Sequence, residues 1–493
     1  MIPMLDAAHI SFGYGLILVP AYLLLPLPYA AYKAGILLNC ALAAGILPLG
    51  YGLAREFSDR QSAAVAASVA ALYPAVFTQT NYLWTEIPFM FFFLLLAWQT
   101  LRVMRQPRAT NIALLMVNAI VLYALHERAI AIPWVVGGVL LVLAFRRRIP
   151  PPTALLMGTL LIAGFALVWL GDQAFWQLGW NPGDGVTVAG TLGQLGSPAG
   201  SLAFLKALAL QGWYLCVASM GLAVLALAWL SSPGEWQSSR SQPIPWLLYL
   251  VLASTSIFVA SAATSLSPYR ADQFIYGRYN EGFLLPWLIL GTLAALRMRN
   301  RGLKLAIVAA VVVALSLFGF AFADIKQWQY LLIFNISTVA AWFHAVQSHW
   351  VFMIGAAMVV VSLSWLYHVR RRWAGLLPVF AVFLTVIAVN TSLLQRQNTA
   401  ITSKTAVGRS LLPGYPVHTV GYDASTLPMY LYFQYEALLP RKQIMLFGPG
   451  TDTARPRQKL VIAGPDFARN HPDWNPRLIA REPHAETTYW ALP

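Results

Sequence analysis

Charged side chains are scarce in this 493-residue chain. Only 10% of its residues are Asp, Glu, Lys or Arg, against about 25% in an average soluble domain. Acids are scarcest, with 18 Asp and Glu beside 33 Lys and Arg. A water-facing surface cannot be covered at that density, which excludes a cytoplasmic enzyme and a disordered chain. Cysteine is nearly absent. Cys40 and Cys216 both lie in apolar stretches, which excludes a secreted disulfide scaffold and a cysteine cage for a metal. Walker A, HExxH, nucleotide glycine-fingerprint and GxSxG patterns are missing, as are repeats and heptads. Hydrophobic residues make up 58% of the chain and the mean hydropathy is +0.62. Apolar runs long enough to cross a bilayer recur along it, which defines an all-α polytopic membrane protein.

Twelve spans are expected, at 33–54, 61–79, 83–101, 110–127, 129–145, 153–170, 209–230, 244–266, 281–296, 303–321, 350–367 and 373–391. The run 329–345 would be a thirteenth, but reads better as a re-entrant or interfacial helix. The basic residues fall between spans, at Arg55 and Arg60, Arg102 to Arg108, Arg146 to Arg148, Arg297 to Lys304 and Arg370 to Arg372. The twelve spans put all five groups on one side, which the positive-inside rule makes cytosolic. The formal charge of +15 therefore marks membrane flanks, and no nucleic-acid partner is expected. Residues 1–391 are read as the multispanning region. Residues 392–493 are more polar, with short strand-like runs at Val417–Tyr422, Gln443–Phe447, Lys459–Ala463 and Leu478–Ile479 and one helix at Pro428–Leu439. They read as a small extracytoplasmic α/β domain.

Ionisable residues at the outer ends of apolar spans are costly unless they face water, a ligand or each other. Three groups stand out there. Glu86 opens a span beside Asn81, Tyr82 and Trp84; it is either a helix-start acid suited to the dipole or a functional carboxylate. His126, Glu127 and Arg128 fill a whole turn, either as an internal ion pair with a spectator histidine or as a phosphate holder. The stretch from Asp272 to Glu281 holds Tyr276, Arg278 and Tyr279. Arg278 and Glu281 share a helix face at i,i+3, which gives either a satisfied pair with interfacial tyrosines or an anion-binding arginine held by carboxylates. Asp6 is the one acid ahead of the first robust span.

In the order of these elements the chain resembles the GT-C superfamily of membrane glycosyltransferases, in particular bacterial relatives of dolichyl-phosphate-mannose protein mannosyltransferases and of the lipid A aminoarabinose transferase. The residues that carry the resemblance are Asn39, Ala71-Leu72-Tyr73-Pro74, Thr85-Glu86, Arg128 and Arg278-Tyr279 entering a span with Pro286. It implies transfer of a sugar, hexosyl or pentosyl, from a polyprenyl-phosphate donor to a glycan, lipid or protein acceptor outside the bacterial plasma (inner) membrane. It also implies a carboxylate that activates the acceptor, for which Asp6, Glu86 and Asp272 compete, and in some members a divalent metal, Mg or Mn. His126, Glu127, Arg128, Tyr276, Arg278, Tyr279 and Glu281 are the residues expected around the substrate. In the family a cytosol-to-outside span and an acidic outer loop come first. Neither is found here, so a start upstream of Met1 is expected. A transporter or flippase, or a polymerase or ligase, for a lipid-linked saccharide is the alternative, with paired half-repeats as the discriminating feature of a transporter.

Overall fold

The computed structural model describes residues 12–25, 28–177, 193–230, 244–264, 275, 277–297, 301–322, 335–342, 360–361, 376–403, 406–415, 417, 419–423, 425–427, 435, 443–447, 459–483 and 487–492. It divides into two compact units, one comprising 10–17 and 36–390 and the other 1–9, 18–35 and 391–493. The helices are α1 (Phe12–Leu24), α2 (Pro28–Arg55), α3 (Arg60–Ala71), α4 (Pro74–Thr80), α5 (Glu86–Arg105), α6 (Ala109–Leu125), α7 (Ile132–Phe145) and α8 (Pro151–Gln177). They continue as α9 (Pro198–Ala218), α10 (Leu222–Leu230), α11 (Ile244–Ala263), α12 (Arg278–Arg297), α13 (Arg301–Phe322) and α14 (Leu377–Ser403). Among the described residues seven helices are long and apolar enough to cross a membrane, eight when the pair α3 and α4, bent by 45°, counts as one span. Apolar helices also fill 109–125, 278–297 and 301–322. The expected span at 350–367 lies outside the described residues except for 360–361.

Some boundaries differ from the sequence expectation, most of all at 209–230. The span expected at 209–230 starts at Pro198, where Ser197 caps the helix by accepting from the Gly200 amide at 3.0 Å and proline takes the first turn; both are helix-start signals. It is then broken after Ala218, because Met220 and Gly221 sit at φ 51° and 78°, a left-handed conformation no α-helix continues through. Hydropathy is continuous across the break and does not register it. The break lets α10 pack closely on α12 at Gly291, where a Cβ would run into the Leu222 carbonyl. Helix α12 is buried from Asn280 to Leu296 and forms the centre of this unit.

Among the described residues, the arginine-bearing loops around 55–60, 102–108 and 146–148 and the end of α12 at Arg297 meet at one end of the unit. Arg105 pairs with Glu56. Arg297 donates to the Phe57 carbonyl and lies 3.7 Å from Asp59, and Arg148 donates to the Met104 carbonyl at 2.8 Å. Helix α5 runs from Glu86 to Arg105, 20 residues, so its two ends are about 30 Å apart, the thickness of a bilayer core.

The other unit contains a five-stranded mixed sheet, in the order β2 (Gln443–Phe447), β1 (Thr419–Asp423), β3 (Leu460–Ala463), β5 (Thr488–Ala491) and β4 (Arg477–Arg481). β1 is parallel to β2 and β3, whereas β5 is antiparallel to β3 and β4. The strand at 488–491 is not among those expected from the sequence; it is four residues long at the end of the chain. The expected helix at Pro428–Leu439 lies outside the described residues apart from Tyr435. Tyr422, Tyr435 and Tyr489 are buried in the core. Buried Glu482 accepts from the Val407 and Gly408 amides at 3.0 and 2.8 Å and from the Tyr489 hydroxyl at 2.5 Å, which ties the N-terminus of α15 (Ala406–Leu411) to the sheet. Burial, with Tyr435 and Glu482 alongside, raises the Tyr489 phenol well above its ordinary value.

Candidate active site

At the end of the helical unit away from the arginine loops, three elements bring charge together. Thr85 ends an irregular stretch, and Glu86 begins α5 with its side chain only 5% exposed. The chain leaves α6 at His126 and makes one 3-10 turn, Glu127–Ala131, before α7. Arg278 and Tyr279 open α12.

Arg278 donates through Nε to Glu86 Oε1, and its guanidinium lies over the Trp84 ring at 3.7 Å. The Arg128 guanidinium lies over the Tyr279 ring at 2.9 Å and meets the His126 ring. His126 stands edge-on to Tyr279 at 5.6 Å and to Phe89 at 6.3 Å. Stacking of guanidinium on aromatic faces is a cation–π arrangement, and it leaves the planar fork oriented for paired hydrogen bonds. Thr85, Glu86, Phe89, His126, Arg128, Arg278, Tyr279 and Gly282 line a cavity of about 10 Å³, room for about one water. Any larger ligand requires these side chains to move. Glu86 Oε2 is buried and has no hydrogen-bond partner among the described residues.

Glu281 is placed differently from the i,i+3 expectation. It does not pair with Arg278, whose carboxylate partner is Glu86. It points into the interior, fully buried, and its Oε1 accepts from the hydroxyls of Tyr73, at 3.5 Å, and Tyr214. The bend between α3 and α4 supplies Tyr73 and α9 supplies Tyr214. Around it lies a polar layer: Asn280 donates to Gln211 at 2.8 Å, Gln79 to Ser337 at 3.0 Å, and Asn390 to Thr78 at 3.0 Å and to the Ser337 carbonyl at 2.6 Å. The described part of the 329–345 run, residues 335–342, is buried within this layer for most of its length, and its Asn335 carbonyl accepts from the Gly277 amide at 2.9 Å. Irregular backbone at membrane depth is tolerated where protein surrounds it in this way.

His126, Arg128, Glu86, Arg278 and Tyr279 are thus together. Glu127 is exposed and outside the cavity lining. Asp6, Asp272 and Tyr276 lie outside the described residues. Sequence reasoning missed Phe89 and Tyr214, which carry no signal beyond an aromatic residue in an apolar span. Tyr73 was visible only through its Leu-Tyr-Pro context. Among the described residues no group of three His, Cys, Asp or Glu could hold a metal. Glu86 is bound to a guanidinium and Glu281 to two phenols, and Asp6 and Asp272 lie outside the described residues.

No family model matches the chain, and no curated protein matches it significantly. Among solved structures it is similar to ArnT from Cupriavidus metallidurans, crystallised bound to undecaprenyl phosphate, with 15% identity and a TM-score of 0.52 over 98% of this chain and 88% of that one. At that identity the likeness shows the fold alone, a helical membrane region and a small mixed α/β unit.

Proposed function

We propose that the chain is a membrane glycosyltransferase that moves a sugar from a polyprenyl-phosphate donor to an acceptor outside the bacterial plasma membrane. The observation that carries this reading is the convergence of Arg278, Arg128 and Glu86 on one cavity, at the end of the bundle opposite the arginine loops. The fold shared with a protein crystallised on undecaprenyl phosphate supports it.

In the reaction, the bond between the anomeric carbon and the phosphate oxygen breaks, and the bonding pair leaves with the polyprenyl phosphate. A bond from the acceptor oxygen to that carbon forms, and the acceptor's proton passes to a base. Negative charge grows on the departing phosphate, so fixed cations beside it lower the barrier. Arg278 and Arg128 take that role, the first by exchanging its bond to Glu86 for bonds to phosphate oxygens. Glu86, once released, is a carboxylate at the same cavity and is suited to orient or deprotonate the acceptor; Asp6 and Asp272 are the other acids proposed for this step. Tyr276, Tyr279, His126, Glu127 and Glu281 complete the proposed substrate surroundings, with Glu281 acting from beneath.

The test is sugar transfer by the purified chain in lipid vesicles, with a polyprenyl-phosphate sugar as donor. Arg278→Lys keeps the charge and removes the planar fork. The expected result is a fall in transfer of about a hundredfold, the scale for losing one transition-state donor, with the protein still inserted and folded. Transfer at the wild-type rate would overturn the reading.

A further inference from the structure

We propose that Asn39 is a positioning residue for Arg278, acting through the turn at 81–85 and the Trp84 ring. This inference rests on Arg278 being the arginine that holds the phosphate. Asn39 lies within α2 and is fully buried. A buried amide is tolerated when its hydrogen bonds are made, and both ends of this one are engaged. The Tyr14 hydroxyl donates to Oδ1 at 3.0 Å, and Nδ2 donates to the Tyr82 carbonyl at 2.9 Å.

The second bond reaches the site. Tyr82 belongs to the irregular stretch between α4 and α5; its amide donates back to the Gln79 carbonyl at 3.1 Å, and the Asn39 bond to its own carbonyl holds where the stretch runs on from there. The Tyr82 ring stacks on Trp84, with centroids 4.6 Å apart and planes 16° apart, and the Arg278 guanidinium lies on the Trp84 ring. Two residues further on, Glu86 takes the Arg278 Nε. The aromatic support that Trp84 gives the guanidinium therefore hangs from a turn whose carbonyl is held by Asn39. Asn39 itself does not line the cavity. Releasing the turn lets Trp84 shift, and a guanidinium that is displaced or rotated loses its paired bonds to phosphate.

The experiment measures the affinity of the full chain, in lipid nanodiscs, for undecaprenyl phosphate. Asn39→Leu is expected to weaken binding about tenfold and Tyr14→Phe about threefold, the scale of a lost buried hydrogen bond. In a Trp84→Ala background both effects should vanish, because the route to Arg278 is already cut. A residue that only packs α2 would instead add its effect to that of Trp84→Ala. Additive losses, or an Asn39→Leu variant with wild-type affinity, overturn the proposal. If Asn39→Leu fails to insert, the Tyr14→Phe and Trp84→Ala cycle decides the question alone. Arg278→Lys is the internal reference. If it binds as the wild type does, the phosphate reading itself falls; if it loses affinity while Asn39→Leu and Tyr14→Phe keep theirs, only the role of Asn39 falls.

Discussion

Replacing Glu86 with glutamine separates binding from transfer. In the structure Glu86 and a donor phosphate would compete for the same guanidinium. The amide introduced by Glu86→Gln would keep an acceptor for the Arg278 Nε and remove the negative charge, so the fold should survive. Glu86→Ala is the harsher change, leaving Arg278, 18% exposed, without its carboxylate; losing one partner of a buried pair costs about 3 kcal/mol. For Glu86→Gln, a unit charge about 6 Å from the phosphate at an effective dielectric of about 20 represents about 3 kcal/mol of repulsion removed. That would be about a hundredfold in affinity; the hydrogen bond retained by Arg278 still has to be exchanged, at about 1 kcal/mol, which brings the expected gain to about thirtyfold. Equilibrium binding of undecaprenyl phosphate to the variant should therefore tighten about thirtyfold, while transfer to the acceptor slows. Binding that is unchanged or weaker would refute the competition between carboxylate and phosphate.

Other outcomes follow from the topology and from the C-terminal unit. In a background lacking Cys40 and Cys216, Asp473→Cys should react with a membrane-impermeant maleimide in intact cells, and Arg147→Cys only after permeabilisation; both positions are exposed, and the reverse pattern would invert the assignment. Glu482→Ala removes the acceptor shared by two amides and the Tyr489 hydroxyl. It should destabilise the 391–493 unit by about 3 kcal/mol, seen as faster limited proteolysis after residue 400 with the helical region intact. Equal cleavage rates would show that the cap contributes little.

The sequence makes some of this legible and hides the rest for physical reasons. Arg128 and Arg278 could be singled out because guanidinium groups at the mouths of apolar spans need a partner or a ligand. Which partner each takes could not be read. Glu86 is 192 positions from Arg278, and local spacing pointed to Glu281, which helix rotation and the neighbouring tyrosines turn inward. The break at Met220-Gly221 is equally hidden, since it is a backbone event inside continuous hydropathy. The cap at Ser197-Pro198 was legible, but lay between the spans expected at 153–170 and 209–230. In the C-terminal unit, β2 was found where alternation and bounding turns agree, and β5 was missed because four residues give too short a pattern.

A structure of the full chain in a lipid nanodisc with undecaprenyl phosphate would show where the phosphate sits. Phosphate oxygens within hydrogen-bond distance of both Arg278 and Arg128, with Glu86 displaced from the Arg278 Nε, is the predicted result. A phosphate bound elsewhere while the Glu86–Arg278 pair stays closed would contradict it.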